Sequence, residues 1–377
     1  MRFISFGCWN KGNPLRKDLP LYHLIRTLEK NIHPIDFIMI TGDNYYHHPD
    51  YEPYKYVKMN NQIENEAFPK ATLEPPPSNV ALGKASLEGG GSDQLDIEHL
   101  TLSFSLLNKM RDEKPIYMCA GNHEFKEHKI IKTGEPIDLL EKEKEVFGDD
   151  LIVSGFLKEK CNDTLFYVID TTNIKDYPLL TEYTDIQSEL TKNKGINKIC
   201  IFGHEPIISL KYARKEKIKK GKLKRKWNDW TTSKDLLEWI KVLLFHLPNY
   251  EIKYICADTH NYQDMNITLK LEDGSSKEIS QTIVGSGGTF NLDPLPLDLS
   301  ETNEFFKDLP HGIENVRVKS ATNVHHGYCI FDTDDLSGDP EFIDFFRAVE
   351  SPEVLSDENL SGIQEFLEGI VSRSTSQ

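Results

Sequence analysis

Four short polar segments of this sequence carry the side chains that could do chemistry. Each combines carboxylate, amide or imidazole groups, and such oxygen and nitrogen donors bind first-row metals such as Zn, Fe and Mn. The segments therefore predict a metal site. They are Gly42-Asp43-Asn44-Tyr45-Tyr46, Gly121-Asn122-His123-Glu124, Gly203-His204-Glu205-Pro206 and Ala257-Asp258-Thr259-His260-Asn261.

Metal ions held by such donors support a defined chemistry. A carboxylate can bridge two ions, and two ions about 3.5–4 Å apart can clamp the attacking and leaving oxygens of a phosphoryl displacement. A metal-bound hydroxide would then attack phosphorus. An imidazole that is not a ligand, with His123 as the candidate, could protonate the leaving alkoxide. One such segment alone is typical of a turn or a helix cap, but four together indicate a two-metal hydrolase.

Strand-like runs precede these segments and must position them. The runs are nearly continuous in hydrophobic residues, as in strands that are buried on both faces. Alternation with helical spacing predicts an α/β fold, in which sites form at the carboxyl ends of the strands. The predicted strands are Arg2–Phe6, Asp36–Thr41, Pro115–Ala120, Leu165–Asp170, Lys198–Phe202 and Ile252–Ala257, and the predicted helices are Leu21–Lys30, Asp96–Met110, Thr181–Lys192 and Ser233–Phe245.

The later part of the chain has the pattern of strands joined by turns. Apolar runs at Ile279–Val284, Gly327–Phe331 and Glu341–Phe346 are separated by turn residues such as those at 334–338. This pattern predicts a second, largely antiparallel sheet.

Composition limits the class of protein. The chain has 377 residues, 38% of them hydrophobic and 28% charged, which is typical of a globular protein and not of a disordered one. No apolar stretch approaches the roughly 20 residues of a membrane-spanning helix, so we expect no membrane span. The start Met1–Gly7 lacks the layout of a signal peptide, and the six cysteines are scattered. We therefore expect an intracellular, cytoplasmic protein.

The domain organisation follows from shifts in composition. We predict one domain over residues 1–350, with insertions at about 66–93 and 211–226, and an acidic tail over 351–377. Proline and glycine triplets mark the first insertion as a loop. Helical spacing in the tail predicts a helix that packs on the body, in preference to one that binds a partner. The spaced apolar residues are Leu360, Ile363, Phe366, Leu367 and Ile370.

The second insertion concentrates positive charge in an acidic chain. The whole sequence has a net charge of −16, whereas residues 211–226 contain ten basic residues and one acidic residue. Without that run the net charge is −25, so general binding of nucleic acid is not expected. The run is either a solvated insertion, a localisation signal, or a loop that recruits a polyanionic substrate or partner.

These segments resemble motifs of the calcineurin-like metallophosphoesterase superfamily, in particular its purple acid phosphatase branch. Gly42–Tyr46 is similar to the branch's Gly-Asp-Asn-aromatic-Tyr motif, whose Asp bridges both metals and whose last Tyr binds ferric iron. Gly121–Glu124 resembles a block whose Asn binds the second metal and whose His serves catalysis. Gly203–Pro206 resembles a Gly-His-x-Pro block whose His binds the second metal. The resemblance covers residues 1 to about 290 and implies a four-layer α/β/β/α sandwich with mixed sheets.

Two residues depart from the family pattern. Cys8 stands where the family has a first-metal Asp, and Asp258 stands where it has a second-metal His. Asp258 would be a hard substitute ligand that favours Mn or Fe(II). Cys8 could bind as a thiolate, with Asn10 as a weaker oxygen donor nearby, or it could be a small buried residue at the end of a strand.

The resemblance implies a ligand set residue by residue. The first metal would keep Asp43, Tyr46 and His260. The second would keep Asp43, Asn122, His204 and the substituted Asp258.

We therefore predict a metal-dependent phosphoesterase that acts on a phosphate ester and holds one or two transition metal ions (Fe, Mn or Zn). His47 and His48 follow Tyr46 and are candidates to line the substrate site, but neighbouring side chains point in different directions, so we expect at most one of them to do so. The alternative is a catalytically lapsed homologue whose scaffold binds a partner, and Cys8 and Asp258 are the features that favour it. Binding of nucleic acid through the basic run alone is a third and weaker reading.

Overall fold

The structure is a computed structural model. It describes residues 1–12, 14, 19–46, 93–130, 133–159, 161, 163–174, 179–210, 234–289, 292–293, 295, 309 and 312–348. The predicted insertion at 66–93 (apart from Asp93), the basic run 211–226, the tail 351–377 and the pair His47 and His48 lie outside the described residues.

Strands and helices alternate along most of the described chain. The strands are β1 (Arg2–Phe6), β2 (Phe37–Thr41), β3 (Asp93–Leu95), β4 (Ile116–Cys119), β5 (His128–Ile130), β6 (Pro136–Ile137), β7 (Gly155–Phe156), β8 (Thr164–Val168), β9 (Lys198–Phe202), β10 (Glu251–Cys256), β11 (Tyr262–Lys270), β12 (Ser276–Val284), β13 (Ile313–Thr322), β14 (Gly327–Asp332) and β15 (Glu341–Asp344). The helices are α1 (Pro20–Asn31), α2 (Ile97–Arg111), α3 (Leu139–Phe147), α4 (Leu179–Lys192), α5 (Lys234–His246) and α6 (Phe345–Ala348).

Two mixed sheets form the body of the described residues. The first has the order β15-β14-β1-β2-β4, with β1, β2 and β4 parallel and β14 antiparallel to β1. The second has the order β13-β11-β12-β10-β9-β8-β7, with a parallel centre from β12 to β8 and antiparallel strands at both sides. A small third sheet has the order β3-β5-β6.

The two large sheets pack face to face through an aromatic layer. The Phe3 ring of β1 lies 4.9 Å from Phe37 and 5.1 Å from Phe331 in its own sheet. It also meets Phe166 and Phe202 of the second sheet, each at 5.7 Å and edge-on. Alternate residues of each strand point into this layer, so the strands are buried on both faces and have continuous hydrophobic sequences.

Helices cover the outer face of each sheet. On the first sheet, Ile4, Ile38 and Met118 pack in one buried cluster with side chains of α1, α2 and α3. On the second sheet, Ile201 and Tyr254 pack in one buried cluster with side chains of α4 and α5. The result is the predicted four-layer α/β/β/α sandwich with mixed sheets.

The observed elements match most predicted ones and correct the assignment of the last strands. The six predicted strands before residue 258 and the four predicted helices agree with the structure to within two residues at each end. The expected second sheet was wrong in one respect, because β14 pairs with β1 and β15 pairs with β14, so both strands extend the first sheet. Periodicity shows that a run is a strand but does not show which strand it pairs with.

Candidate metal centre

The parallel registers bring the polar segments to one edge of the sandwich. Ser5 pairs with Met39 and Ile40 with Met118, so the loops that follow β1, β2 and β4 leave the first sheet side by side. Tyr254 pairs with Ile201, which aligns the loops after β10 and β9 in the second sheet in the same way. The four predicted segments and the loop after β1 therefore meet where the carboxyl ends of both sheets converge.

Hydrogen bonds tie the two sheet edges together at this place. The Gly7 N–H of the first sheet donates to the Val284 carbonyl of the second at 3.0 Å. His204 Nδ1 of the second sheet lies 2.9 Å from the Thr41 carbonyl oxygen of the first, so this nitrogen carries the hydrogen and Nε2 is the remaining donor atom. The bond fixes the tautomer and the orientation of the ring, as outer partners do for histidine ligands of metals.

The backbone is strained at three site residues. Cys8, Asp43 and Asp258 have φ of 52°, 53° and 51°, and they are the non-glycine residues with positive φ within the described chain. For residues with a Cβ this left-handed conformation is uncommon and costs free energy. Each follows a strand end, where the turn brings its side chain into the same small volume. Strain of this kind clusters at functional sites.

Two glycines make the close approach of the loops possible. Gly42 has φ 86°, and a Cβ on it would lie 2.7 Å from His204 Nδ1. A Cβ on Gly121 would lie 2.5 Å from Asp43 Oδ1. Any other residue at either position would push the carboxylate and imidazole groups apart, so the loops pack this tightly only with glycine.

Asp43 lies at the centre of the cluster and is 2% exposed. Its Oδ1 accepts the His123 backbone N–H at 3.0 Å and lies 3.3 Å from His204 Nε2. Its Oδ2 accepts the Tyr46 hydroxyl at 2.6 Å and has the Cys8 thiol 4.0 Å away. The two carboxylate oxygens thus face two different groups of donors, as a bridging ligand would.

The first group consists of Cys8, Tyr46 and His260 around Asp43. Donor atoms of Cys8, Asp43 and His260 lie within 4.8 Å of one another. The Tyr46 hydroxyl oxygen is 3.1 Å from His260 Nε2. The structure therefore brings together the residues predicted for the first metal.

The second group consists of His204 and Asp258 beside Asp43. Asn122 is tied to it through the chain, because the N–H of the next residue, His123, donates to Asp43 Oδ1. His204 Nε2 lies 3.7 Å from Asp258 Oδ1 and is fully buried without a hydrogen-bond partner among the described residues. Asn122 Oδ1 is likewise buried, and within the same part of the chain it has no hydrogen-bond partner. His204 Nε2 thus faces two carboxylates, and the Asn122 oxygen is a buried acceptor that a cation could satisfy, since buried polar atoms are nearly always paired in proteins.

The electrostatics of the metal-free cluster also favour a cation. Burial lowers the pKa of His204, but the nearby charge of Asp43 outweighs this and raises the pKa to about 10. Burial raises the pKa of Asp43, but the positive charges of His204 and His123 outweigh it and hold the pKa well below its usual range. The excess of carboxylates thus draws a positive charge onto a buried imidazole.

Residues 1–273, most of the chain, match the family model for the calcineurin-like phosphoesterases. The chain belongs to the calcineurin-like phosphoesterase family. The predicted family is therefore confirmed. No curated protein matches the sequence significantly.

Two solved structures are similar to this member of the calcineurin-like phosphoesterase family. A purple acid phosphatase from seeds of yellow lupin (Lupinus luteus) is 11% identical with a TM-score of 0.49, and the match covers 91% of this chain and 52% of that one. The structure of PhoD is 13% identical with a TM-score of 0.45, and the match covers 88% of this chain and 63% of that one. The chain therefore spans about half the length of the lupin protein.

Several residues that support the candidate centre were not singled out by sequence. The buried Glu124 carboxylate accepts the backbone N–H groups of Gly121, Asp43 and Asn44, and so holds two site loops together. The Asp293 carboxylate accepts the His260 N–H at 2.9 Å. Glu124 could have been noticed because it ends the Gly-Asn-His-Glu block, whereas Asp293 carries no local signal.

Asn10 and Trp9 are both fully buried next to the centre. The Asn10 main-chain carbonyl accepts the Tyr46 N–H at 3.0 Å, while no hydrogen bond joins its side-chain amide to another described residue. The role of Asn10 as a weaker metal donor stays a prediction. Trp9 stacks on Phe104 at 5.8 Å and donates to Asn44, so it supports the loop from behind.

Proposed function

We propose that this chain is a metal-dependent phosphoesterase that hydrolyses phosphate esters. The observation that carries the proposal is the position of the buried His204 Nε2, which lies 3.3 Å from Asp43 Oδ1 and 3.7 Å from Asp258 Oδ1. The buried Asn122 Oδ1, which has no hydrogen-bond partner among the described residues, adds a further free acceptor. Oxygen and imidazole donors suit Fe, Mn or Zn. Membership of the calcineurin-like phosphoesterase family supports the same reading.

The residues divide into two metal positions that share Asp43. Asp43, Asn122, His204 and Asp258 would hold one ion, and Asp43, Tyr46 and His260 would hold the other. When bound, such ions neutralise the charge that develops on a transferring phosphoryl group and acidify water. The number of ions that the centre holds depends on the first position, where Cys8 replaces the usual carboxylate.

His123 is the proposed general acid. Its backbone N–H donates to Asp43 Oδ1, which places the residue beside the shared carboxylate. Its ring lies 4.6 Å from the Tyr46 ring, centroid to centroid, and the residue is half-buried, so the imidazole borders the centre and is in part accessible to solvent. An imidazole in that place can give a proton to the leaving alkoxide oxygen.

Other parts of the proposal concern the surroundings of the centre. A phosphate-ester substrate would meet one of His47 and His48, which follow Tyr46, and the basic run 211–226 would recruit a polyanion. The description of the chain as one domain over 1–350 with a tail, and its intracellular location, are parts of the same proposal. No helix in the described part of the chain is long and apolar enough to cross a membrane.

Hydrolysis of an aryl phosphate and of a bis-aryl phosphate, with Mn, Fe or Zn added to metal-free protein, tests the proposal. We expect metal-dependent turnover of at least one ester. The double variant Asn122→Ala/His123→Ala should abolish it, because both a ligand and the proton donor are lost. Turnover that persists in the double variant would show that the activity does not come from this centre.

The same experiment separates the rival reading, in which the scaffold binds a partner without catalysis. Wild-type protein that takes up a metal ion but hydrolyses neither ester would favour that reading. Loss of metal uptake in His204→Ala then shows whether the ion sits at the proposed position.

A further inference from the structure

The Cys8 thiol lies in a small buried cluster that borders a group of metal-binding donors. Its neighbours in the buried cluster at the end of β1 are Tyr46 and Ala257. Its Sγ is 4.0 Å from Asp43 Oδ2, and donor atoms of Cys8, Asp43 and His260 lie within 4.8 Å of one another. A side chain that only filled space would not need a thiol beside a carboxylate and an imidazole.

The backbone of Cys8 indicates that its side chain is held in place. The residue has φ 52°, in the left-handed region where glycine is favoured and where a Cβ causes steric strain. Its N–H donates to the Gly42 carbonyl at 3.0 Å, which locks the turn after β1 to the turn after β2. The thiol is thereby aimed at the same carboxylate that Tyr46 and His204 face.

The spacing of the donors fits a small tetrahedral ion. A thiolate at 2.3 Å and an oxygen at about 2.1 Å from a tetrahedral zinc ion lie roughly 3.6 Å apart. The observed separation of Cys8 Sγ and Asp43 Oδ2 is 4.0 Å. The Tyr46 hydroxyl oxygen lies 3.1 Å from His260 Nε2. It is hydrogen-bonded to Asp43 Oδ2 at 2.6 Å, and it becomes available as a fourth donor when that bond opens.

We propose that the Cys8 thiolate binds the ion at the first metal position and makes that position selective for zinc-like ions over Mn(II) and Mg(II). The inference rests on the proposed metal centre. Thiolate ligands favour softer ions, whereas all-oxygen sites suit Mn and Mg. Binding replaces the thiol proton by the ion, and the proton passes to solvent. The first position is thus altered in its choice of metal and not lost.

Cobalt(II), which takes the tetrahedral geometry of zinc and absorbs light, tests the inference directly. Metal-free full-length protein is titrated with Co(II), and the near-ultraviolet sulfur-to-cobalt charge-transfer band is recorded. Wild-type protein should develop the band. Cys8→Ser should lose the band, and Cys256→Ser should keep it, because Cys256 is an equally buried cysteine whose thiol donates to the Thr282 carbonyl.

A second measurement needs no variant. X-ray absorption of wild-type protein loaded with zinc should show a Zn–S distance of about 2.3 Å.

A third experiment measures metal selectivity by competition between Mn(II) and Zn(II). Cys8→Asp should shift the ratio of the two affinities toward manganese by about tenfold or more, since a changed ligand should matter at least as much as a changed outer partner.

Three outcomes would overturn the inference. Wild-type protein that binds Co(II) without the band, or zinc without a sulfur neighbour, would leave the metal centre standing and remove Cys8 from it. A band that persists in Cys8→Ser would assign the thiolate to another cysteine. Failure of wild-type protein to bind any of these ions would overturn both this inference and the proposed function.

Discussion

At the scale of single residues, burial and neighbouring charge set the protonation of the groups in the centre. Burial and then the charge of Asp43 raise the pKa of Cys8 and of Tyr46 well above their usual ranges. Without a cation the thiol and the phenol therefore stay protonated, and Tyr46 donates its hydrogen to Asp43. Metal uptake by this position must release protons, so its affinity should rise with pH.

His326 provides a pH-dependence that is separate from the centre. It precedes β14, and burial lowers its pKa from 6.5 to about 4. Below about pH 6.5 this histidine is protonated in the unfolded chain, whereas in the folded chain it stays neutral until about pH 4. The free energy of unfolding therefore falls as the pH falls through this window. The decrease in the free energy of unfolding that this side chain causes should reach up to about 3 kcal/mol.

Urea unfolding at pH 7 and pH 5 measures this contribution. His326→Gln should flatten the difference between the two pH values. His33→Gln, at a side chain that is 81% exposed, should leave it as in wild-type protein. If His326→Gln keeps the full pH-dependence, another group causes it.

At the scale of elements, helix α3 reaches the centre through Glu143. This residue is fully buried, and its Oε2 accepts the side-chain amide of Asn44 at 3.3 Å. Burial, and then the charge of Glu124, raise the pKa of Glu143 well above its usual range, so it is a neutral carboxylic acid. The helix thus braces the loop after β2 with an uncharged group.

Glu143→Gln should therefore change the free energy of unfolding little, because glutamine is also neutral and similar in shape. Glu143→Ala should cost about 1–3 kcal/mol, since it leaves the Asn44 amide short of a partner and opens a cavity. Urea denaturation at pH 7 compares the two. Equal losses in both variants would mean that Glu143 is ionised in the folded protein.

Helix α2 depends for stability on Asp96, the N-cap residue that precedes it. The Asp96 carboxylate accepts the N–H groups of Glu98 and His99 at 3.0 and 3.2 Å, which are otherwise unpaired at a helix start. Asp96→Ala should lower the free energy of unfolding by about 1 kcal/mol, and Asp96→Asn should restore most of it. Thermal or urea unfolding tests this, and equal losses in the two variants would contradict the capping role.

At the scale of the whole molecule, the aromatic layer between the sheets holds the two halves of the centre in register. Phe3 is fully buried and meets rings of both sheets. Phe3→Ala should cost about 3–5 kcal/mol, through lost burial and the cavity left behind. Phe245→Ala, at a ring that is 42% exposed, is the matched control and should change stability little. A loss in Phe3→Ala as small as in the control would mean that the layer is not a shared core.

Metal affinity in the same variants adds information at this scale. The first metal group draws on both sheets, because Cys8 and Asp43 follow strands of the first sheet and His260 follows β10 of the second. Loosening the layer at Phe3 should therefore weaken metal binding as well as stability, while Phe245→Ala should affect neither.

Local chemistry in the sequence was enough to predict the strands that end at the centre and most of the residues that meet there. Buried parallel strands carry long hydrophobic runs, and the polar residues that end those runs, such as Asp43, His204 and His260, stand out against them. The four-layer fold was predicted from the same alternation together with the resemblance of the motifs.

Long-range pairing could be decided only by the tertiary structure. β1 pairs with β14, which joins residues as far apart as Arg2 and Asp332, and nothing in the local pattern of either strand specifies this partner. The buried supports Glu124, Glu143 and Asp293 are also tertiary features, because their partners lie on other loops. Local sequence determines what each strand end can bind, whereas packing of the sheets decides which ends share one site, since that depends on contacts between residues far apart in the chain.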